Sequence, residues 1–156
     1  AEAADIVTLT VPFSHQAATL ELVKPALHGK ILIDVTVPLV PPKVARVQLP
    51  AQGSAGQIAQ ELLGEGVDVV SAFQNVAAVH LQEGHGLTCD VLVTGNKKAA
   101  RDEVVKLVEA AGMRGLHAGM INNAAAAEAL TSVLITINKQ YGCHAGIKIT
   151  GLDDAH

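Results

Sequence analysis

The sequence contains very few aromatic residues: one Tyr, two Phe and no Trp among 156 residues. Its apolar residues make up 49% of the chain, and most of them are therefore aliphatic. Aliphatic cores are typical of helices packed on a sheet of buried strands. A chain of this length is expected to form one domain, which buries roughly 70% of the surface that the unfolded chain exposes.

Cysteine is also scarce, with Cys89 and Cys143 as the two examples. They lack CxxC spacing and have no nearby pattern of His ligands, so we interpret both as free thiols in a reducing compartment. Eleven Lys and Arg residues against fifteen Asp and Glu give a formal charge of −4, with no block of like charge. This balance argues against a nucleic-acid-binding surface.

Long hydrophobic runs are missing too. The longest apolar stretch, Ala124 to Ile137, is interrupted by Glu128, Thr131 and Ser132 and is shorter than the ~20 residues that a membrane span needs. We therefore expect neither a membrane span nor a secretory signal.

Four short apolar segments rich in β-branched residues predict buried strands: Asp5 to Val11, Lys30 to Thr36, Val67 to Phe73, and Asp90 to Thr94. Arg114 to Ala118 is expected to form a fifth, short strand. Helices are predicted over about His15 to Leu27, from Ser54 to Gly64, over Lys97 to Ala111, and from Asn122 or Asn123 to about Tyr141. This alternation predicts an α/β fold with a parallel sheet, right-handed crossovers, helices on both faces and a long C-terminal helix.

Three features of the sequence are expected to set helix ends. Ser14 is predicted to cap the first helix, and Ser54 with Gln57 has the form of a capping box. Pro25 should kink or shorten the first helix, because proline cannot continue the backbone hydrogen bonds.

Ligands of open parallel sheets bind beyond the carboxyl ends of the strands. Three loops stand there: Thr10-Val11-Pro12-Phe13, Val37-Pro38-Leu39, and Gln74-Asn75-Val76-Ala77-Ala78. Their small or rigid residues would let a flat ligand approach the backbone. Pro and Asn would equally serve there as strand terminators and turn formers. Position alone leaves both interpretations open.

Familiar chemical motifs are missing from the sequence. It has no G-x-G-x-x-G run after a strand, no P-loop, no G-x-S-x-G elbow and no H-E-x-x-H helix. The seven histidines are scattered without ligand spacing, so we predict no metal site. Glu128, inside an apolar helix, is either a buried general base or a carboxylate turned toward a polar neighbour.

Five segments are familiar in their order and spacing: DIVTLTVPFSHQ, KILIDVTVPLVPPKV, VVSAFQNVAA, CDVLVTGNKKA and AGIKITGL. Together they resemble the NADPH-dependent coenzyme F420 reductases, and the resemblance runs from the first residues to about Leu152. It implies a Rossmann-like fold over 1–156, with 119–156 as a C-terminal helical extension. It also implies an NADP-dependent oxidoreductase that transfers a hydride between reduced coenzyme F420 and NADP. Its members are usually cytoplasmic homo-oligomers, so a dimer is expected here.

The resemblance also implies which segments contact the two small-molecule cofactors. The residues expected to line NADP are Thr10, Val11, Pro12, Phe13, Val37, Pro38, Ala77 and Ala78. Those expected to shape the shared floor are Gln74, Asn75 and Val76, and those expected to approach the deazaflavin are Ala145 and Gly146. The candidates for binding the phosphate and glutamate tail of F420 are Lys43, Arg46, Lys139 and Lys148, each of which could equally be an ordinary surface residue. The hypothesis requires Pro12, Val76 and Ala145 to border one cleft.

The sequence departs from the family at its start. Family members begin with a glycine-rich strand–turn–helix and a Ser-Arg pair that accepts the 2′-phosphate of NADP, so roughly a third of such a protein is expected to precede Ala1. The sequence leaves open a fragment or a late start. Two other functions stay open: an NADP-dependent reductase with another acceptor (a flavin, a ferric complex or an imine), and a non-catalytic domain without its cofactor half.

Overall fold

The computed structural model describes residues 1–84 and 88–152. Its strands are β1 (Ile6–Leu9), β2 (Ile31–Asp34), β3 (Asp68–Ser71), β4 (Asp90–Gly95) and β5 (Arg114–His117). Its helices are α1 (Phe13–Val23), α2 (Ala55–Leu63), α3 (Ala78–Glu83), α4 (Lys98–Ala110) and α5 (Ala124–Tyr141). All five predicted strands and the long C-terminal helix are therefore confirmed.

The sheet has the order β1-β2-β3-β4-β5. The pairs β1–β2, β2–β3 and β4–β5 are parallel, but β3 and β4 are antiparallel. The prediction of a mostly parallel sheet is confirmed, whereas a uniformly parallel sheet with a crossover between β3 and β4 is wrong. A crossover usually needs a helix that packs on the sheet. The described part of this connection contains α3 alone, whose six residues include no buried one.

Helices cover both faces of the sheet, as predicted. Alternation of side chains along each strand sends Leu32 and Val69 to one face, where they pack with Leu20 of α1 and the helix α2. Ile33 and Val70, one residue further along, point to the other face, where they pack with Val104 and other residues of α4. The core thus consists of two aliphatic layers separated by the sheet.

The start of α1 differs from the prediction. The helix begins at Phe13 after Pro12 in the capping position, and no side chain caps it. Ser14 therefore lies inside the first turn instead of before it. The expected effect of Pro25 is confirmed, because α1 ends at Val23 and a 3₁₀ turn, Lys24–Ala26, follows.

The predicted cap of α2 is confirmed, since the Ser54 Oγ accepts a hydrogen bond from the Gln57 N–H at 3.0 Å. The proline-rich segment between β2 and α2 is an extended loop, with a cis peptide bond between Pro41 and Pro42. This loop packs on α5, where the Ser132 hydroxyl donates to the Val44 carbonyl at 2.9 Å. Within 1–84 and 88–152, no helix has both the length and the hydropathy needed to cross a bilayer.

Candidate cofactor site at the carboxyl edge of the sheet

The three loops singled out from the sequence begin side by side. In the sheet register, Leu9 at the end of β1 pairs with Asp34 at the end of β2, which pairs with Ser71 at the end of β3. Because these strands are parallel, their carboxyl ends form one edge of the sheet. This edge is where open α/β sheets bind their ligands.

A cavity of about 650 Å³ opens at this edge and extends over the neighbouring face of β1 and β2. Its volume falls within the range of about 300–1,000 Å³ that is usual for small-molecule sites. The lining includes Ile33 of β2, Val35 directly after it, Phe73 after β3 and Leu107 of α4. It is mostly apolar and therefore suits a flat, uncharged ring.

The structure brings some of the predicted site residues into this cavity and leaves others outside it. Those that line it are Thr10, Gln74, Val76 and Ala78. Those that do not line it are Val11, Pro12, Phe13, Val37, Pro38, Asn75, Ala77, Ala145 and Gly146. Of the three residues required to border one cleft, Val76 alone does so.

Beyond Thr10, the residues after β1 turn away from the cavity because α1 starts at once. Val11 packs against the aliphatic layer beneath α1 and α2. Pro12 is exposed, and Phe13 is half-buried as the first residue of the helix. After β2, Val37 is half-buried and Pro38 is buried.

Two buried amides fix the loop after β3. The Gln74 side chain donates to the Asp34 carbonyl at 2.9 Å and to the Ser71 hydroxyl at 2.7 Å. The Asn75 side chain donates to the Ala127 carbonyl of α5 at 2.8 Å. The loop is thereby tied to both β2 and α5.

Phe73 has an unusual backbone conformation for a residue with a side chain. Its φ of 70° lies in the left-handed region, which non-glycine residues rarely adopt. Such conformations cost on the order of 1–3 kcal/mol and cluster at ligand sites. Since the Phe73 side chain also lines the cavity, its strained backbone supports a functional role for this loop.

The C-terminal segment reaches the same loop from the other side. The Ala145 N–H donates to the Asn138 Oδ1 at 2.7 Å. A Cβ added to Gly146 would lie 2.8 Å from the Cβ of Cys89 and 4.0 Å from the Asn75 carbonyl oxygen. Glycine is therefore required at this close approach, which places the segment beside the loop after β3.

Two buried carboxylates with raised pKa values lie near this edge of the sheet, and sequence reasoning missed one of them. The Asp34 carboxylate accepts hydrogen bonds from the Gln16 amide at 2.6 Å and the Thr36 N–H at 2.8 Å. Burial raises its pKa, against the lowering effect of these donors. The position of Asp34 at the end of a predicted strand could have indicated a site residue. The sequence does not show that its hydrogen-bond partner is Gln16 on α1.

Glu128 is the second buried carboxylate. It accepts from the Ala55 N–H at 2.6 Å and from the Gly56 N–H at 3.1 Å, so it covers the first turn of α2. Burial raises its pKa to about 7, partly opposed by these two hydrogen bonds. Because both oxygens face the helix backbone, the geometry favours the polar-neighbour interpretation over the general base.

The basic residues considered for the F420 tail are all exposed. Lys43 and Arg46 lie on the proline-rich loop, whose Arg46 carbonyl accepts from the Ser132 hydroxyl at 3.3 Å. Lys148 lies near Asp90 and contributes to the lowering of its pKa. Both interpretations of these residues therefore remain open.

A second depression, of about 570 Å³, is a weaker candidate. Its lining includes Glu61, Glu65 and Asp68, and its one basic residue, Lys97, is already paired with Asp68 at 2.8 Å. It lies at the start of β3, away from the carboxyl edge. A phosphate-bearing dinucleotide would be repelled by this acidic lining.

Comparison with known proteins identifies the family. No family model matches the chain. The F420-dependent NADP reductase of Methanocaldococcus jannaschii is 35% identical over 159 residues, covering 98% of this chain and 71% of that protein. The enzyme of the same name from Methanothermobacter marburgensis is 37% identical over 161 residues, covering 99% of this chain and 72% of that protein.

A solved structure is similar to this chain over most of its length. A candidate F420-dependent NADP reductase from Arthrobacter sp. FB24 superposes with a TM-score of 0.81 at 25% identity, covering 95% of this chain and 71% of that one. This likeness confirms the Rossmann-like fold inferred from the resemblance. Because the identity to the two relatives exceeds a third and spans nearly the whole chain, the chain belongs to the family of F420-dependent NADP reductases.

Proposed function

We propose that this protein is an NADP-dependent oxidoreductase that transfers a hydride between reduced coenzyme F420 and NADP. Family membership supports the reaction. The location of the reaction is inferred from the apolar cavity at the carboxyl edge of β1–β3.

The residues of the cavity fit two stacked planar rings. Ile33 and Val35 offer an aliphatic surface, and Ala78 leaves space at the rim. When bound, nicotinamide and deazaflavin supply the two carbon atoms between which the hydride moves. The side-chain hydrogen bonds of Gln74 and Asn75 hold the loop in place.

The scarcity of acid–base groups in the cavity agrees with this reaction. Transfer of a hydride between two bound carriers depends on closeness and alignment, and it needs no proton donor from the protein. The polar residues of its lining are Thr8, Thr10 and Gln74, and the Gln74 amide is already engaged with Asp34 and Ser71.

The direct test is to mix the enzyme with reduced F420 and NADP and to follow the deazaflavin absorbance. We expect oxidation of F420 that depends on NADP. No change in absorbance, with turnover of a flavin, a ferric complex or an imine instead, would favour a related reductase. No NADPH binding by calorimetry would favour a non-catalytic domain.

A substitution in the cavity tests its location. Ala78→Leu adds three carbon atoms at the rim and should raise the KM for at least one of the two cofactors about tenfold, a loss of ~1.4 kcal/mol. Leu22→Ala is the control, because Leu22 is 81% exposed on α1, on the opposite face of the sheet. Unchanged KM values for Ala78→Leu would contradict the proposed location.

Cytoplasmic location and assembly into a homodimer are proposed from the family resemblance. Light scattering of the purified protein tests the dimer. Fractionation of the source cells tests the location.

A further inference from the structure

The C-terminal segment runs beside the start of β4. After α5 ends at Gly142, the chain turns back along residues 145–149. The Asp90 N–H donates to the Ile147 carbonyl at 2.8 Å, and the Ile149 N–H donates to the Asp90 carboxylate at 2.6 Å. One residue at the start of β4 therefore holds the segment through both its backbone and its side chain.

Arg114, at the start of β5, completes this arrangement. Its guanidinium donates to the two Asp90 carboxylate oxygens at 2.8 and 2.7 Å, and also to the Ile149 carbonyl at 3.0 Å. The side chains of Asp90 and Arg114 are 3% and 18% exposed. A planar guanidinium can make this two-pronged contact, which a lysine cannot reproduce. We call the pair Asp90 and Arg114 the tail clasp.

The tail clasp is charged at neutral pH. The hydrogen bond from Arg114 is the main cause that lowers the pKa of Asp90, and the Ile149 N–H lowers it further, against the effect of burial. The carboxylate thus stays available to hold Ile149 throughout the neutral range.

The segment that the clasp holds carries Ala145 and Gly146, which touch Asn138 and Cys89. Gly146 also comes close to the Asn75 carbonyl, in the loop that forms the floor of the site. A shift of the Ile149 backbone would also move Gly146, which lies three residues earlier in the chain. The clasp therefore controls how the C-terminal segment meets this loop.

We propose that the C-terminal segment borders the deazaflavin through the loop after β3, and that Asp90 and Arg114 are positioning residues that hold it there and so set the affinity for F420 separately from that for NADP. This inference rests on the proposed function. Neither residue lines the cavity, and both act through the backbone of residues 145–149.

The test compares Arg114→Lys with Lys106→Gln in the enzyme. Lys106 forms an exposed ion pair with Glu103 on α4 and serves as a control for the loss of a surface charge contact. We expect Arg114→Lys to raise the KM for F420 about tenfold and to leave the KM for NADP within about twofold. Hydrogen exchange of the Ile149 amide should become faster in the same variant.

A second variant leaves the buried pair intact, in case Arg114→Lys does not fold. Ile149→Pro removes the N–H that Asp90 accepts, and it should raise the KM for F420 selectively. Faster exchange with an unchanged KM for F420, or an equal rise of both KM values, would overturn the proposal. If the unmodified enzyme does not oxidise F420 at all, the proposed function fails first, and the inference fails with it.

Discussion

Replacement of Glu128 by Gln should change the pH dependence of stability. Glu128 is 1% exposed and lies on α5 against the first turn of α2. Burial raises its pKa from the ordinary 4.5 to about 7. In this range the folded protein therefore binds a proton that the unfolded chain has released. By linkage, the free energy of unfolding must fall as the pH rises from about 4.5 to about 7, and must level off above that.

The size of the effect follows from the shift. Each pKa unit corresponds to about 1.4 kcal/mol, so a rise from 4.5 to about 7 corresponds to about 3 kcal/mol. Asp34 has a raised pKa for the same reason, so its contribution has the same sign. Glutamine cannot ionise and keeps one oxygen for the N–H groups of Ala55 and Gly56. Relative to the unmodified protein, Glu128→Gln should gain about 3 kcal/mol between acidic pH and pH 8.

Urea unfolding at intervals between about pH 4.5 and pH 8 measures this difference. Glu103→Gln is the matched control, because Glu103 is an exposed carboxylate on α4 and its replacement should leave the slope unchanged. Parallel curves for the unmodified protein and Glu128→Gln would refute the reasoning. They would show that the two hydrogen bonds to α2 cancel the effect of burial on the pKa of Glu128.

Two further changes test the packing of the site. Ser54→Ala removes the acceptor of the Gln57 N–H at the start of α2 and should lower the free energy of unfolding by about 1 kcal/mol, measured by urea unfolding. Gly146→Ala would place a Cβ 2.8 Å from the Cβ of Cys89 and should lower the free energy of unfolding by about 1–3 kcal/mol. Cys89→Gly in the same chain should restore part of this loss, and a double-mutant cycle without coupling would contradict the contact.

Much of the fold could be predicted because local rules agree with the tertiary structure. The first four strands lie in runs rich in Val, Ile and Leu, and all of them were found, whereas β5 contains a single such residue, Leu116. The reversal between β3 and β4 could not be predicted, since strand direction depends on how the connecting segment packs. The cap of α1 was wrong for a similar reason: Pro12 already supplies the extended backbone that precedes a helix, so Ser14 falls inside it.

The location of the site could be predicted from the sequence, but which side chains line it was harder to predict. The order of strands places the loops after β1, β2 and β3 together, and the register shows this directly. The direction of each side chain depends on where the next helix starts, which explains why Val11 faces the core while Thr10 faces the cavity. The partners of buried carboxylates lie far apart in sequence, 73 residues in the case of Glu128 and Ala55.

The reversal of β4 has a consequence for the site. In a uniformly parallel sheet, the amino end of β4 would lie at the edge opposite to the carboxyl ends of β1–β3. Because β4 pairs antiparallel with β3, with Ser71 opposite Thr94, Asp90 instead lies beyond the end of β3, next to the loop that contains Asn75. The C-terminal segment can bind to Asp90 and touch this loop at once. The sheet reversal is thus what brings the C-terminal segment beside the loop after β3.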